Sequence, residues 1–189
     1  MLHSANAQAK SGVENYNSIS RAEQYTWIPV LHYMNKKGWY TEARYNYEDI
    51  NTGSIYVGRN YAGGKKVAYE VTPMAGIVFG NYKGISAATN IELTYKKIFF
   101  SGQLQYTINN EDQNNNFFYN WSEVGCKFFN KFYGGVSVQQ TKLYNSKLTN
   151  SVGVLLGFET GKITVPFYLF NPLSKDRNLV MGLIIEWDN

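Results

Sequence analysis

The sequence predicts an all-β chain, an antiparallel up-and-down transmembrane β-barrel of about twelve strands, with ten as the alternative. Three observations lead there. The first is the stretch Asn178 to Trp187, in which Leu179, Met181, Leu183, Ile185 and Trp187 fall on one face of an extended strand. Val180, Gly182, Ile184 and Glu186 fall on the other face. An apolar stripe ending on Trp suits a strand that faces lipid and is anchored at the interface. The second is a sorting of the connections between strands into two alternating sets, one short and often carrying Lys, one longer and more polar. The third is an aromatic content of 16%, with 16 Tyr and 4 Trp, rings that suit a boundary between apolar and wet surroundings.

Composition sets the remaining bounds. At 189 residues the chain is one domain by size. A hydrophobic content of 44% and a mean hydropathy of -0.36 would ordinarily indicate a water-soluble protein. A barrel escapes that inference, because only alternate residues face lipid. No run of ~18 apolar residues supplies a transmembrane helix. The net charge is +4, but the 18 basic residues form no continuous stripe, so nucleic acid is not an expected partner. The lone Cys126 excludes an internal disulfide and a cysteine-rich metal site, and no cofactor is expected.

Taken in order, residues 1–9 read as the remnant of a signal peptide, since Ala5-Asn6-Ala7-Gln8-Ala9 has the small-residue pattern of a secretory cleavage site. Residues 10–24 are polar and weakly patterned, and residues 25–189 form the barrel. Strands are expected at about 25–34, 39–48, 53–61, 66–79 and 85–95, then at 98–108, 117–128, 132–143, 149–159, 163–169 and 178–187. In the second, Trp39, Thr41, Ala43, Tyr45 and Tyr47 oppose Tyr40, Glu42, Arg44, Asn46 and Glu48. Pro73 removes a ladder donor from the fourth, so a bulge or bend is expected there. Short connections fall at 35–38, 62–65, 96–97, 129–131 and 160–162; longer ones fall at 48–53, 80–84, 109–116, 144–148 and 171–177. Short turns on one rim and long loops on the other are the asymmetry of an outer-membrane barrel. These strands number eleven, and closure of an antiparallel sheet needs an even count. Residues 11–22 would supply a twelfth; otherwise one segment is not a crossing, or the N-terminal stretch plugs the lumen.

The runs Trp39-Tyr40-Thr41-Glu42-Ala43-Arg44-Tyr45-Asn46-Tyr47-Glu48, Thr72-Pro73-Met74-Ala75-Gly76, Phe117-Phe118-Tyr119-Asn120-Trp121-Ser122-Glu123 and Phe170-Asn171-Pro172 resemble those of an uncharacterised, Bacteroidota-like family of bacterial outer-membrane β-barrels. The resemblance covers about residues 25–189 and implies fold and compartment, with no activity attached. The chain departs from many such barrels by ending Glu186-Trp187-Asp188-Asn189, not on an aromatic.

With apolar faces outward, the polar lumen would hold Glu42, Arg44, Asn46, Glu48, Glu70, Asn90, Glu92, Gln103, Gln105, Tyr119, Trp121, Glu123, Gln139, Glu159 and Glu186. Small barrels fill their interiors with polar side chains paired to one another, and that reading outweighs a catalytic one. Tyr119, Trp121 and Glu123 would either plug the lumen or stack on a sugar or headgroup. His32 sits in an apolar strand without a serine motif and reads as a histidine at the aromatic interface. The expected compartment is the bacterial outer membrane, with outer-membrane lipid and an envelope protein as partners. The expected role is structural or small-solute passage without a recognised active site. The rival is an outer-membrane enzyme acting on lipid or glycan through lumen carboxylates. A third reading is a soluble barrel whose stripes face inward around an apolar ligand.

Overall fold

The computed structural model describes residues 9–20 and 25–188. The leader reading at Ala5 to Ala9 lies outside the described residues up to position 8. Thirteen strands form one sheet: β1 (Lys10–Ser20), β2 (Thr26–Met34), β3 (Trp39–Tyr45), β4 (Thr52–Arg59), β5 (Tyr61–Gly63), β6 (Ala68–Gly80) and β7 (Gly84–Tyr95). They continue as β8 (Ile98–Asn109), β9 (Phe117–Lys127), β10 (Phe132–Lys142), β11 (Thr149–Thr160), β12 (Ile163–Phe170) and β13 (Asn178–Asp188). Each pairs antiparallel with its sequence neighbour, except that β4 and β5 both pair with β6 and together make a single crossing. Thirteen strands therefore make twelve crossings. Closure comes from β1 against β13, in an unbroken register from Lys10 opposite Asp188 to Ser20 opposite Asn178. The polar N-terminal stretch is thus the twelfth crossing. Its backbone satisfies the edge that β13 would otherwise expose to hydrocarbon.

Pro73 gives no bulge. Gly58 opposes Met74 and Tyr61 opposes Val71, three residues apart on both strands, so the register runs through unshifted. The missing N–H merely opens a gap that divides the crossing into β4 and β5. Asn60 fills it by donating its side-chain amide to Thr72 Oγ1 at 2.9 Å.

The apolar stripes point outward. Leu31, Ile55, Ile85, Val136, Val154 and Leu179 are each between 46% and 63% exposed, as are, to a lesser degree, Met181, Leu183 and Ile185 of β13. A largely apolar outer band around a closed antiparallel barrel, broken by Asn15 and Asn17 of β1 and by the hydrogen-bonded Asn120 and Gln140 of β9 and β10, is a lipid-facing surface, and barrels of this build belong to the outer membrane. The soluble-barrel reading fails on the same observation. Two rims bound the band. One carries the turns 35–38, 64–67, 96–97, 128–131 and 161–162 together with both ends of the described chain. The other carries 46–51, 81–83, 110–116, 143–148 and 171–177.

The lumen lining

Inside, the barrel divides into a packed half toward the long loops and a hollow half toward the short turns. Strand alternation brings Glu42 and Arg44 of β3 inward, and both are buried. Arg44 Nε donates to Glu42 Oε1, and Nη1 donates to Gln105 Oε1 at 2.8 Å. The guanidinium lies between two rings, its carbon 4.5 Å from the centroids of Tyr47 and of Tyr56. Gln105 Nε2 donates to Glu48 Oε1 at 3.1 Å, and the Tyr56 hydroxyl reaches Glu48 Oε1 at 3.1 Å and Ser86 Oγ at 2.9 Å. Tyr40 donates to Glu42 Oε2 at 2.5 Å, and Asn90 adds an amide at 3.3 Å. One cation, two carboxylates and a web of amides and hydroxyls therefore form a paired polar core, as burial of charge requires. Around it pack Val78, Tyr82, Phe117 and Tyr119 on one side and Leu155, Tyr168 and Phe170 on another.

Tyr47 and Glu48 reach this core by a route that strand parity does not give. β3 ends at Tyr45, and the following segment folds inward between Asn46 and Asn51, whose φ angles are 55° and 56°. Asn tolerates that left-handed region because its short amide bonds locally. Asn46 donates to the Trp27 carbonyl at 3.0 Å and accepts from the Asn51 N–H at 2.8 Å. Asn46 is accordingly a loop clamp at the rim and not a member of the lumen cluster. Tyr47, expected outward, instead donates its hydroxyl to Gln103 and packs edge-on against Tyr119 with centroids 5.2 Å apart. The outer end of the segment is held by Tyr144, which donates to Asp49 Oδ2 at 2.5 Å. Partial burial, and then that carboxylate, push the Tyr144 phenol up to about 12, so it stays a donor at any physiological pH.

The hollow half contains a cavity of about 480 Å³. Its lining starts at the short-turn rim with Lys10, Lys127, Glu159 and Glu186 and ends at Tyr16, Tyr47, Gln103 and Trp121. Six carboxylates line it: Glu14, Glu70, Glu92, Glu123, Glu159 and Glu186. Registry explains three of them. Glu70 lies opposite Glu92, Glu92 opposite Ser101, and Ser101 opposite Glu123, so one row across β6 to β9 presents acids at a single level. Lys10 lies 3.9 Å from Glu70 and Lys127 lies 2.6 Å from Glu159. Among the described residues Glu92 and Glu123 have no cationic partner, and Glu92 accepts from Ser101 at 2.6 Å. Gln139 donates to the Tyr119 hydroxyl at 3.3 Å, deeper in the wall.

His32 is not at the interface. Leu31 and Tyr33 take the outward positions, and His32 points inward, with Nδ1 3.3 Å from Glu14 and Nε2 3.5 Å from Glu186. Space for the ring comes from Gly12 on β1, where a Cβ would lie 2.2 Å from His32 Nε2. Parity along β2 carried this signal; the apolar flanks of His32 masked it. Sequence reading also passed over Tyr16, Phe99, Tyr133 and Tyr168, which line the cavity. Tyr168 alternates with the outward Phe167 and Leu169, so its position was available from the same pattern. Among the described residues, no three His, Cys, Asp or Glu side chains converge as metal ligands.

No family model and no curated protein matches the chain. Among solved structures, a KdgM porin in complex with disordered oligogalacturonate is similar at 8% identity and a TM-score of 0.67, over 92% of this chain and 98% of that one. A second KdgM porin structure is similar at 7% identity and a TM-score of 0.65, with the same coverage of both chains. The NanC porin is similar at 12% identity and a TM-score of 0.58, over 95% of this chain and 99% of that one. At such low identity the likeness is one of architecture, and it is shared along nearly the whole length of each chain. In fold, the chain is a twelve-crossing barrel of the outer-membrane kind, built like the KdgM and NanC porins.

Proposed function

We propose that the chain is a bacterial outer-membrane barrel that passes small neutral or cationic solutes, with residues 46–51 forming the constriction. The observation that carries this reading is the carboxylate-walled cavity of about 480 Å³ that runs from the short-turn rim to Tyr47 and Gln103. A channel wall with one sign of charge concentrates ions of the other sign. Six acids outnumber Lys10 and Lys127 along the cavity, so cations are favoured there. The likeness to porins supports passage as the role, while the lining argues for a different solute from the oligogalacturonate of one neighbour. Galacturonate units are acidic, and Glu92 and Glu123 would repel them. The cleavage-like pattern at Ala5 to Ala9 accords with export to that membrane.

Planar-bilayer recording tests the reading. The native protein should conduct weakly, because Tyr47 and the Arg44 core stand across the path. Tyr47→Ala should raise the single-channel conductance several-fold, and reversal potentials in a salt gradient should show cation preference. Glu92→Gln with Glu123→Gln should weaken that preference. A folded Tyr47→Ala barrel that passes no current would overturn the proposal and leave a structural role.

A further inference from the structure

The five short turns carry Lys36-Lys37, Lys65-Lys66, Lys96-Lys97, Lys131 and Lys162, eight lysines without an Asp or Glu among them. The opposite rim is unlike this. Its five described loops hold Lys83, Lys147, Lys175 and Arg177 against Glu48, Asp49, Glu111, Asp112 and Asp176. The asymmetry is therefore a property of one rim and not of a basic chain. None of the eight lysines has an acidic partner within 4.0 Å among the described residues, whereas Lys83 on the other rim pairs with Glu111 at 3.2 Å.

Each turn also rises from the lipid-facing surface beside exposed apolar residues. Tyr33 and Trp39 flank the first, Tyr61 and Tyr69 the second, and Tyr95 the third. Phe128, Phe129 and Phe132 belong to the fourth and Ile163 to the fifth. Aromatic residues mark the edge of the hydrocarbon, and lysine stems lie along such surface while the ammonium reaches the polar layer. Lys96 does so over Tyr95, its Nζ 5.3 Å from the ring centroid. The charges thus stand at headgroup depth around the circumference. We propose that this rim is a basic collar that holds anionic phospholipid headgroups of the leaflet in which it sits.

The mouth of the barrel argues against a soluble polyanion as the occupant. Glu70, Glu159 and Glu186 line the opening inside the collar, so an acidic polymer or protein seated across it would meet carboxylates. Headgroups arranged around the outside meet the lysines and Arg59, whose guanidinium lies 5.8 Å from the Trp39 ring centroid. Clustered lysines at a membrane surface attract acidic lipid through a field that falls off within a screening length, and salt weakens it.

The test uses the full chain in vesicles, with Trp27→Phe and Trp187→Phe leaving Trp39 as the tryptophan that reports the rim and Trp121 inside the lumen. Brominated phosphatidylglycerol should quench Trp39 roughly twofold more than brominated phosphatidylcholine at equal mole fraction. The preference should disappear in about 1 M salt, where the screening length is about 3 Å. Lys36→Gln, Lys37→Gln, Lys65→Gln and Lys66→Gln together should abolish it in a barrel that still shows heat-modifiable gel mobility. The matching arginine set should retain it. Equal quenching by the two lipids in the native chain would overturn the proposal. So would a rim that binds dextran sulfate in phosphatidylcholine vesicles yet shows no lipid preference.

Discussion

Arg44→Met is the perturbation from which the packing argument has most to lose. In the native barrel the guanidinium touches Glu42, Gln105, Tyr47 and Tyr56 and is buried, as are Glu42 and Glu48. Methionine fills much of the volume but leaves Glu42 without its cation and the Gln105 carbonyl without a donor. Removing one member of a buried pair costs about 3–5 kcal/mol, because the other charge stays desolvated and alone. With a slope of about 2 kcal/mol per M urea, the unfolding midpoint should fall by about 1.5–2.5 M. Urea titration of the barrel in vesicles, followed by tryptophan fluorescence and gel mobility, reads this directly. Arg44→Lys should lose an intermediate amount, since it keeps the charge and gives up the fork that meets Glu42 and Gln105 together. Arg44→Met combined with Glu42→Gln should recover much of the loss, because no lone charge then remains beside Tyr40. A midpoint for Arg44→Met within about 0.3 M of the native value, or a double variant no better than the single, would refute the idea that a paired charge organises this half of the lumen.

Two further outcomes check other parts of the structure. Val154, at the middle of β11 and about half exposed, faces lipid; Val154→Arg should cost about 2–4 kcal/mol in the same titration, and a neutral result would contradict the outward direction of the stripes. Gly157 makes room for Tyr133, whose Cζ would lie 2.0 Å from a Cβ at that position. Gly157→Val should therefore cost about 1–3 kcal/mol and should cost less in a Tyr133→Ala background; equal costs in both would show that the ring does not depend on the glycine.

Much of the architecture was legible in the residues. Alternation separated Leu179 and Met181 from Val180 and Glu186, and it separated Leu104 and Tyr106 from Gln103 and Gln105, because side-chain direction along a strand is a local property with a period of two. Connection lengths gave the two rims for the same reason. The alternation also carried Glu42, Arg44, Glu92, Trp121 and Glu123 inward, where the structure brings them into a packed core and a cavity wall. It failed where the backbone leaves the strand. The left-handed angles at Asn46 and Asn51 end the parity that began at Trp39, so Asn46 goes to the rim and Tyr47 to the interior. Pro73 illustrates the opposite error, since a lost donor can open a ladder without adding a residue.

The sequence by itself determined that the chain forms amphipathic strands, which face of most of them is greasy, and which connections are short and lysine-bearing, since each of these follows from neighbours a few residues apart. Only the tertiary structure decided that a polar N-terminal stretch closes the sheet and that His32 of β2 lies between Glu14 of β1 and Glu186 of β13. It also decided that Glu70, Glu92 and Glu123 share one level of the wall. Those relations join residues far apart along the chain, and they are set by inter-strand register and by closure of the backbone hydrogen bonds around the barrel, which no local pattern encodes.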